Sequence, residues 1–309
     1  MRNKYFRPYC LILLSFILGM GISFSFQEQK HVPIKMVASM FPLQEFAQAV
    51  VGEWGDVELL LPPGAEIHSW QPKPSDLVKL SQADIFIYIG AQLEPWAEDM
   101  LNSVRNPALH IIEASRGLSL IGHEKQEGKH EHGAEDPHIW LDFGNDKKII
   151  DKISEVLCQM NPGRKADFQG NARSYNRKLD ALDEKFRREL DQCEQRTIVL
   201  GGHAAFGYLT RKYNLSQISL YGLSPDSKPT PRQLMDVVDY VKEKRIRVIF
   251  FELNVSNELA RVIAKETGAK TLVLNPGASL PRQRNSMRIT FFDIMEQNLR
   301  NLKDGLQCR

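Results

Sequence analysis

Near the middle of the chain stands the sequence RKADFQGNARSYNRKLDALDEKFRRELDQ, residues 164–192. Its apolar residues recur at the spacing of one face of an α-helix: Phe168, Tyr175, Leu179, Leu182, Phe186 and Leu190. Apart from Gly170, the stretch contains neither glycine nor proline. A helix of this length, rising 1.5 Å per residue, is about 40 Å long. We therefore predict one amphipathic helix that can serve as a rigid spine.

Strand patterns alternate with helix patterns on both sides of this spine. Before it, the strand candidates are Lys35–Ser39, Val57–Leu61, Asp84–Gly90 and Ala108–Glu113. After it, they are Thr197–Leu200, Ser216–Leu220, Val248–Phe251 and Thr271–Leu274. Helical spacing is found between and after the strands, for example in Lys147–Leu157, Ala204–Tyr213 and Met287–Leu302. Such alternation is typical of mostly parallel sheets covered by helices. We predict an α/β fold with two lobes, residues 31–162 and 196–309, joined by a linker helix in residues 163–192.

The composition is that of a globular protein. The chain has 309 residues, of which 42% are hydrophobic and 25% charged, so it can bury a substantial core. Its formal net charge is +2, from 40 basic and 38 acidic residues. Without the three basic residues near the N-terminus, 37 basic residues remain against 38 acidic ones. This balance gives no reason to expect nucleic-acid binding, which requires a basic footprint.

The N-terminus has the pattern of an export signal. Arg2, Lys4 and Arg7 are followed by an uncharged stretch, residues 9–26. The small-x-small pattern at residues 23–25 predicts a signal peptide in residues 1–25 with cleavage after Ser25. An uncleaved N-terminal membrane anchor is the alternative, although this stretch is short for a membrane span. We expect the rest of the chain in the periplasm or another extracytoplasmic space.

Export places three cysteines in an oxidising space, where disulfides form. They are Cys158, Cys193 and Cys308, and an odd number leaves at least one thiol free or paired outside the chain. Cys158 precedes the predicted spine and Cys193 follows it, so these two would lie too far apart for a disulfide. Cys193 with Cys308 is therefore the favoured pair.

Three histidines follow predicted strands or the loops after them. His68 follows the turn PPGAEI, His138 lies in DPHIWLD, and His203 follows the strand TIVLGG. Ligands of open α/β sheets bind beyond the carboxyl ends of strands, so these side chains could face one another across a cleft. Imidazoles bind zinc, copper, iron and nickel, and three of them form most of a zinc shell. Taken singly, each histidine is better explained as a structural residue.

Seven segments, in the same order, resemble the zinc and manganese solute-binding proteins of ABC importers. They are MVASMFPLQEFAQAVVG (36–52), LLPPGAEIHSWQPKPSDLVKLSQADIFIYIGAQLEPW (60–96), DPHIWLD (136–142), NPGRKADFQGNARSYNRKLDALD (161–183), HAAFGYL (203–209), PTPRQL (229–234) and IFFELNVSNELARVIAKETGAKTLVLNP (249–276). They cover nearly all of the chain after the signal. The resemblance implies two lobes joined by a helix, and metal binding rather than catalysis.

The resemblance also implies the metal ligands. The first three ligands of the family fall on His68, His138 and His203. Histidine at the third of these positions is typical of the zinc members, whereas manganese members have glutamate there. Ligand softness agrees, because carboxylate-rich shells suit manganese better. One Zn²⁺ ion is therefore the expected ligand.

The fourth ligand position departs from the family pattern. Where the family usually has aspartate, this chain has Asn275, whose neutral amide oxygen is a weaker ligand for a dication. Three alternatives follow: Asn275 binds the ion, a water does, or a nearby acid replaces it. The acids to consider are Glu252 and Glu66, and for both we favour a structural role.

A polar loop in residues 122–137, GHEKQEGKHEHGAEDP, interrupts the α/β pattern. It contains His123, His130 and His132 among acids and glycines. Zinc members of the family often have a histidine- and acid-rich loop here, which implies a weak second zinc site or a contact with a metallochaperone. The alternative is a solvated loop without a metal role.

We therefore expect a monomeric receptor that captures Zn²⁺ between two lobes and delivers it to the membrane subunit of an ABC permease. A zinc metallochaperone is a further expected partner. The same role for Mn²⁺ or Fe²⁺ is one alternative. Two others belong to different classes: a zinc-dependent hydrolase, which would need a general base beside the metal, and an adhesin-like surface protein.

Overall fold

The computed structural model describes residues 32–122, 135–225, 229–253, 257–282 and 289–309. Four parallel strands form its first sheet. In the spatial order β2-β1-β3-β4, these strands are β1 (Ile34–Ala38), β2 (Gly55–Leu59), β3 (Ile85–Tyr88) and β4 (His110–Glu113). Ile85, Phe86 and Ile87 are fully buried, as expected of an apolar strand inside a parallel sheet. The helices between the strands are α1 (Phe41–Val51), α2 (Pro74–Ser81) and α3 (Ala97–Ser103).

Two long helices follow this sheet, α4 (Phe143–Met160) and α5 (Lys165–Asp191). α5 is the predicted spine, and it packs against α1, α4 and α9 (Phe291–Leu306), the helix after the last strand. The six apolar residues of the spine pattern are all buried. Glu45 of α1 accepts hydrogen bonds from the Tyr175 hydroxyl (2.8 Å) and the Phe291 backbone N–H (2.7 Å). The spine therefore joins elements from both ends of the chain.

The second sheet repeats the strand order of the first. Its parallel strands, in the order β6-β5-β7-β8, are β5 (Thr197–Leu200), β6 (Ser216–Ser219), β7 (Val248–Phe251) and β8 (Lys270–Val273). Its other helices are α6 (Gly207–Lys212), α7 (Pro231–Glu243) and α8 (Glu258–Thr267). The predicted α/β fold, two lobes with parallel sheets and one long helix, is confirmed. Pro33–Arg309 form one compact unit, and the exact lobe boundaries remain predictions.

The segment around His138 precedes the spine in the chain but contacts elements that follow it. Asp142 forms an ion pair with Lys212 of α6 (2.7 Å), and Trp140 donates its indole N–H to the carbonyl of Pro276 (2.7 Å). The loop that carries His68 is also tied to the second lobe, because the Gly64 N–H donates to the carbonyl of Leu280 (2.7 Å). Loops from both halves of the chain therefore meet at one place.

Several helices differ from the predicted bounds because side chains cap or replace their first turns. α4 begins before Lys147, since the Asp142 carboxylate accepts the Gly144 N–H (2.7 Å) as an N-cap. α6 begins only at Gly207, and the N–H of the preceding Phe206 donates to the side chain of Gln217 (3.1 Å). α9 starts after the Thr290 cap, and Met287 lies outside the described residues.

A disulfide joins Cys193 to Cys308, the pair that the sequence favours, and Cys158 is free and half-buried. Within the described residues, no helix is both long and apolar enough to cross a membrane. The predicted signal peptide in residues 1–25 lies outside the described residues.

Candidate metal centre

Three histidines converge where the loops of the two lobes meet. His68, His138 and His203 each offer a ring nitrogen, and these nitrogens all lie within 4.8 Å of one another. His68 follows β2, His138 follows β4 and His203 follows β5, so all three lie beyond the carboxyl ends of parallel strands. His138 is 1% exposed, His203 is 2% exposed, and His68 is half-buried. The predicted juxtaposition is therefore present.

Asp136 holds His138 in place. Its Oδ1 accepts hydrogen bonds from both the ring Nδ1 (2.7 Å) and the backbone N–H (2.9 Å) of His138. The hydroxyl of Tyr208, from α6, donates to the backbone carbonyl of Asp136 (3.0 Å). A β-carbon at Gly207 would collide with the other carboxylate oxygen, so glycine at this position lets the carboxylate approach α6. The second lobe therefore fixes the orientation of His138.

Glu252 holds His203 in the same way. Directly after β7, its Oε1 accepts the ring Nδ1 (2.8 Å) and the backbone N–H (3.0 Å) of His203. Gly202 makes this possible, because a β-carbon there would overlap the same oxygen. The two glycines before His203 thus provide close approach of a carboxylate. Carboxylate–imidazole pairs of this kind fix the ring tautomer and orientation at metal sites.

These pairs determine what the opposite ring nitrogens present to the centre. A carboxylate only accepts, so each Nδ1 carries the proton and each Nε2 of a neutral ring is a lone-pair donor to a metal. The Nε2 atoms of His138 and His203 lie 3.1 Å apart. Two lone pairs at that distance repel, so a proton or a cation between them is required. Nitrogen ligands of tetrahedral zinc lie about 3.3 Å apart, given Zn–N bonds of about 2.0–2.1 Å.

His68 supplies the third nitrogen. Its Nε2 is buried and has no hydrogen-bond partner among the described residues, which is unusual for a buried polar atom. The ring centroid of His68 lies 5.4 Å from that of His138 and 5.2 Å from that of His203. A cation at the centre would satisfy this nitrogen together with the other two.

The electrostatic surroundings separate the three imidazoles. Burial, followed by the two neighbouring histidines, lowers the pKa of His68 to about 2. Burial also lowers the pKa of His138, although the hydrogen bond and charge of Asp136 act against it. Burial acts to lower the pKa of His203 too, but the charge and hydrogen bond of Glu252 outweigh it, so that this pKa is raised. The rings of His68 and His138 are therefore neutral and able to bind a metal, whereas at His203 a proton competes with the metal.

A small cavity adjoins this cluster. It has a volume of about 20 Å³, room for one water, and Glu66, Glu252, Asn275 and Ser279 are among its lining residues. The amide oxygen of Asn275 accepts the Gly277 N–H (2.9 Å). The structure thus places Asn275 beside both acids that the sequence offers as alternatives, and the Glu252 carboxylate accepts hydrogen bonds from His203. Glu66 accepts the backbone N–H of His68 (3.3 Å).

Two tryptophans behave differently around the cluster. The fully buried Trp140 lies against His138, with ring centroids 5.3 Å apart, and so forms one wall. Trp70 packs instead on Trp96, with centroids 5.1 Å apart. Sequence analysis missed Asp136 and Tyr208, and the only signal for Asp136 was its place two residues before a candidate ligand. The loop histidines His123, His130 and His132 lie outside the described residues.

Two parallel-sheet lobes with three imidazoles that could hold a metal ion where their loops meet define an α/β protein with a candidate metal centre. The chain belongs to the ZnuA family: the model of this family, described as "Zinc-uptake complex component A periplasmic", matches residues 36–305.

Relatives are similar over most of the chain. The zinc-binding lipoprotein AdcA of Streptococcus pneumoniae is 35% identical over 300 residues, which are 95% of this chain and 60% of that protein. The high-affinity zinc uptake system protein ZnuA of Bacillus subtilis is 34% identical over 288 residues, 90% of this chain and 89% of that protein. The chain therefore spans about 60% of the length of the AdcA relatives but nearly all of the Bacillus protein.

Solved structures agree with the fold. The Zn(II)-bound ZnuA-like domain of S. pneumoniae AdcA has a TM-score of 0.76 at 34% identity, covering 89% of this chain and 99% of that one. The laminin-binding protein Lmb of Streptococcus agalactiae, described as a bifunctional protein with adhesin and metal transporting activity, has a TM-score of 0.78 at 30% identity. That match covers 88% of this chain and 99% of the other.

Proposed function

We propose that the chain captures one Zn²⁺ ion at His68, His138 and His203, outside the cytoplasmic membrane, and delivers it to an ABC permease. The observation that carries this proposal is the convergence of three imidazole nitrogens, two on rings oriented by carboxylates and the third buried with no hydrogen-bond partner among the described residues. Neutral imidazoles favour zinc over calcium, magnesium or manganese. The names of the relatives, which refer to zinc binding and zinc uptake, support the same assignment.

The carboxylates also contribute to the charge of the site. Asp136 and Glu252 are hydrogen-bonded to the far ring nitrogens of His138 and His203, so two negative charges lie close to the dication without binding it. On binding, zinc replaces the proton between the Nε2 atoms of His138 and His203, so that capture releases a proton. His68, which comes from the loop after β2, then closes the site from the first lobe.

For the fourth ligand we propose Asn275. Its amide oxygen has a second lone pair besides the one that accepts the Gly277 N–H. The adjoining cavity has room for one water, which would take the same position if the asparagine does not reach the ion. Neither ligand adds a negative charge, so the ion should be held less tightly than at a site with a fourth carboxylate.

The family supports delivery to a permease. The family description names an uptake complex and the periplasm, which supports a membrane transporter as partner and an extracytoplasmic location. We keep the monomeric state, a metallochaperone partner and a weak second zinc site in residues 122–137 within this proposal. A hydrolase is disfavoured, because the two acids that could serve as its general base already accept hydrogen bonds from the cluster, Glu252 from His203 and Glu66 from His68.

Metal content by mass spectrometry tests the proposal. The purified protein is stripped of metal and offered equimolar zinc, manganese, iron and copper. We expect one retained zinc per chain, lost in His68→Ala, His138→Ala and His203→Ala. His110→Ala is the matched control, because His110 is exposed on β4, outside the cluster. Retention that is unaffected by all three cluster substitutions would overturn the assignment.

A second candidate function rests on the similarity to Lmb, a protein whose description includes adhesin activity. We propose it only as an additional role, because the histidine cluster plays no evident part in adhesion. Binding of the zinc-loaded protein to immobilised laminin, compared with immobilised albumin, tests it. Equal retention on both surfaces would exclude this role.

A further inference from the structure

A second concave site lies at the amino ends of two strands of the second sheet, β7 and β8. We call it the basic groove: an open cavity of about 720 Å³ between the ends of α7, α8 and α9 and the beginnings of β7 and β8. Its polar lining includes Lys242, Arg245, Arg247, Lys270, Asp304 and Gln307. The histidines lie beyond the carboxyl ends of parallel strands, whereas the groove lies at the amino ends of β7 and β8. A four-residue strand, about 13 Å long, separates these two edges.

The groove has an excess of positive charge. Lys242, Arg245, Arg247 and Lys270 are all exposed, and Asp304 is the only acid among the lining residues. None of these four cations has an ion pair or a side-chain hydrogen bond within the described stretches of the chain. Their neighbour Lys244, which does not line the groove, pairs with Glu243 (2.8 Å). The cations at the groove are thus available to an external partner.

Helix ends account for some of this charge but not for all of it. The C-terminus of each helix carries about half a negative charge, which favours lysine and arginine nearby. The ends of α7, α8 and α9 surround the groove, so some positive charge is expected there for stability alone. Four full charges nevertheless exceed the sum of one carboxylate and three half charges. The remaining potential attracts anions.

The backbone at the groove is an independent observation. Arg245 follows the end of α7 with φ +52°, a left-handed conformation that glycine adopts without strain. Gly268 has this conformation after α8 (φ +72°), and Gln307 after α9 (φ +56°). Two of the three left-handed residues around the groove therefore carry long hydrogen-bonding side chains at a cost in backbone strain. This conformation is a common way for a helix to end, and here it brings the side chains of Arg245 and Gln307 to the lining of the groove.

We propose that the basic groove binds a small anion bearing phosphate or sulfate groups. The planar guanidinium groups of Arg245 and Arg247 match the paired oxygens of such groups, and Lys242 and Lys270 add point charges. The volume is within the range of small-molecule sites. A free oxyanion and a lipid headgroup share this chemistry, and the experiment distinguishes them. The proposal does not depend on zinc binding, because the groove and His203 lie at opposite ends of the strands of the second sheet, and His68 and His138 follow strands of the first sheet.

Calorimetric titration of the metal-free protein with pyrophosphate at low ionic strength is the test. Metal-free protein is used because pyrophosphate also binds zinc. The variants are Arg245→Gly and Arg247→Gln, and Lys244→Gln is the matched control at the same helix end. We expect saturable binding that weakens by at least about tenfold in each arginine variant, the usual effect of losing a charge-assisted hydrogen bond, and is unchanged in the control. Sedimentation with phosphatidylglycerol vesicles, against phosphatidylcholine vesicles, forms the lipid arm.

The thermal stability of Arg245→Gly separates a ligand role from a structural one. Glycine relieves the left-handed strain, so we expect an unchanged or higher melting temperature together with weaker anion binding. Binding to phosphatidylglycerol alone, lost in the same variants, would assign the oxyanion to a lipid headgroup. Failure to bind either probe, or binding that Arg245→Gly and Arg247→Gln leave intact, would overturn the proposal. Zinc retention in all variants is checked alongside and should equal that of the unmodified chain.

Discussion

Replacing Glu252 by glutamine removes a negative charge behind His203 while keeping the size of the side chain. The carboxylate is 3% exposed and accepts two hydrogen bonds from His203, at 2.8 Å and 3.0 Å. An amide oxygen can still accept one of them, but it neither fixes the tautomer as firmly nor stabilises the positive charge that the ring acquires on binding. We therefore expect Glu252→Gln to weaken zinc binding without preventing folding.

The size of the effect follows from two independent estimates. Loss of a partner behind a metal-binding histidine lowers metal affinity about 10- to 100-fold, which corresponds to about 1.4–2.7 kcal/mol. A hydrogen bond to a charged group contributes about 1.5–3 kcal/mol, which is the same range. The structure adds a compensation, because without Glu252 the pKa of His203 falls and fewer protons compete with zinc. We expect this compensation to be largest at acidic pH.

The assay is competition with a chromophoric zinc chelator, and Glu94→Gln is the matched control. Glu94 is 4% exposed and follows β3, as Glu252 follows β7. It accepts hydrogen bonds from the Ser39 hydroxyl (2.6 Å) and the backbone N–H of Ile89 (3.0 Å), and from no histidine in the part of the chain that the structure describes. Burial raises its pKa to about 7, against the effect of these hydrogen bonds, so Glu94→Gln removes a buried carboxyl group away from the histidines. Zinc affinity of Glu252→Gln within about twofold of the unmodified protein, or an equal loss in Glu94→Gln, would refute the reasoning.

Three further predictions concern the same molecule. Zinc affinity should fall as the pH decreases through the raised pKa of His203, with about one proton taken up per zinc released, because His68 and His138 have lowered pKa values and stay neutral. Chelator competition between about pH 8 and about pH 5.5 measures the slope of log affinity against pH, and a slope near three would contradict the prediction. Asn275→Asp should raise zinc affinity at least about tenfold, because a carboxylate keeps the bond to Gly277 and offers the ion a charged oxygen; an unchanged affinity would mean that position 275 does not face the ion. Replacing both Cys193 and Cys308 by serine should lower the free energy of unfolding by about 2–5 kcal/mol, since the disulfide closes a loop with a sequence separation of 115. Urea denaturation measures this loss, substitution of the free cysteine (Cys158→Ser) is the control, and equal urea midpoints in the double variant and the unmodified protein would count against a stabilising disulfide.

The sequence alone predicts those features of the fold that depend on local patterns. The spine appears at Lys165–Asp191 because its apolar residues repeat over about six turns, and Thr197–Leu200 and Val248–Phe251 match their predicted bounds. The three histidines come together because the carboxyl ends of parallel strands meet, a rule of topology that needs only strand positions. Their roles as zinc ligands remain predictions.

Contacts across long sequence separations could not be predicted. Tyr208 reaches Asp136 across 72 residues, and nothing near either residue signals the contact. The early start of α4 depends on Asp142, a cap that lies within the motif assigned to the metal site. Glu252 was in view from the sequence, but only the structure shows that its partner is His203, 49 residues away.

The disulfide has a consequence for a chain that is cut by a protease. Cys193 and Cys308 close a covalent ring that contains His203 but neither His68 nor His138. A nick inside the ring leaves both new ends attached, so the second sheet stays one covalent body. A nick between His138 and Cys193 would instead separate the first two imidazoles from the third. That stretch is mainly helix, in α4 and α5, and helical backbone is a poor protease substrate because cleavage requires an extended, accessible segment. The disulfide therefore limits the effect of proteolysis after Cys193, and the two helices limit proteolysis between His138 and Cys193.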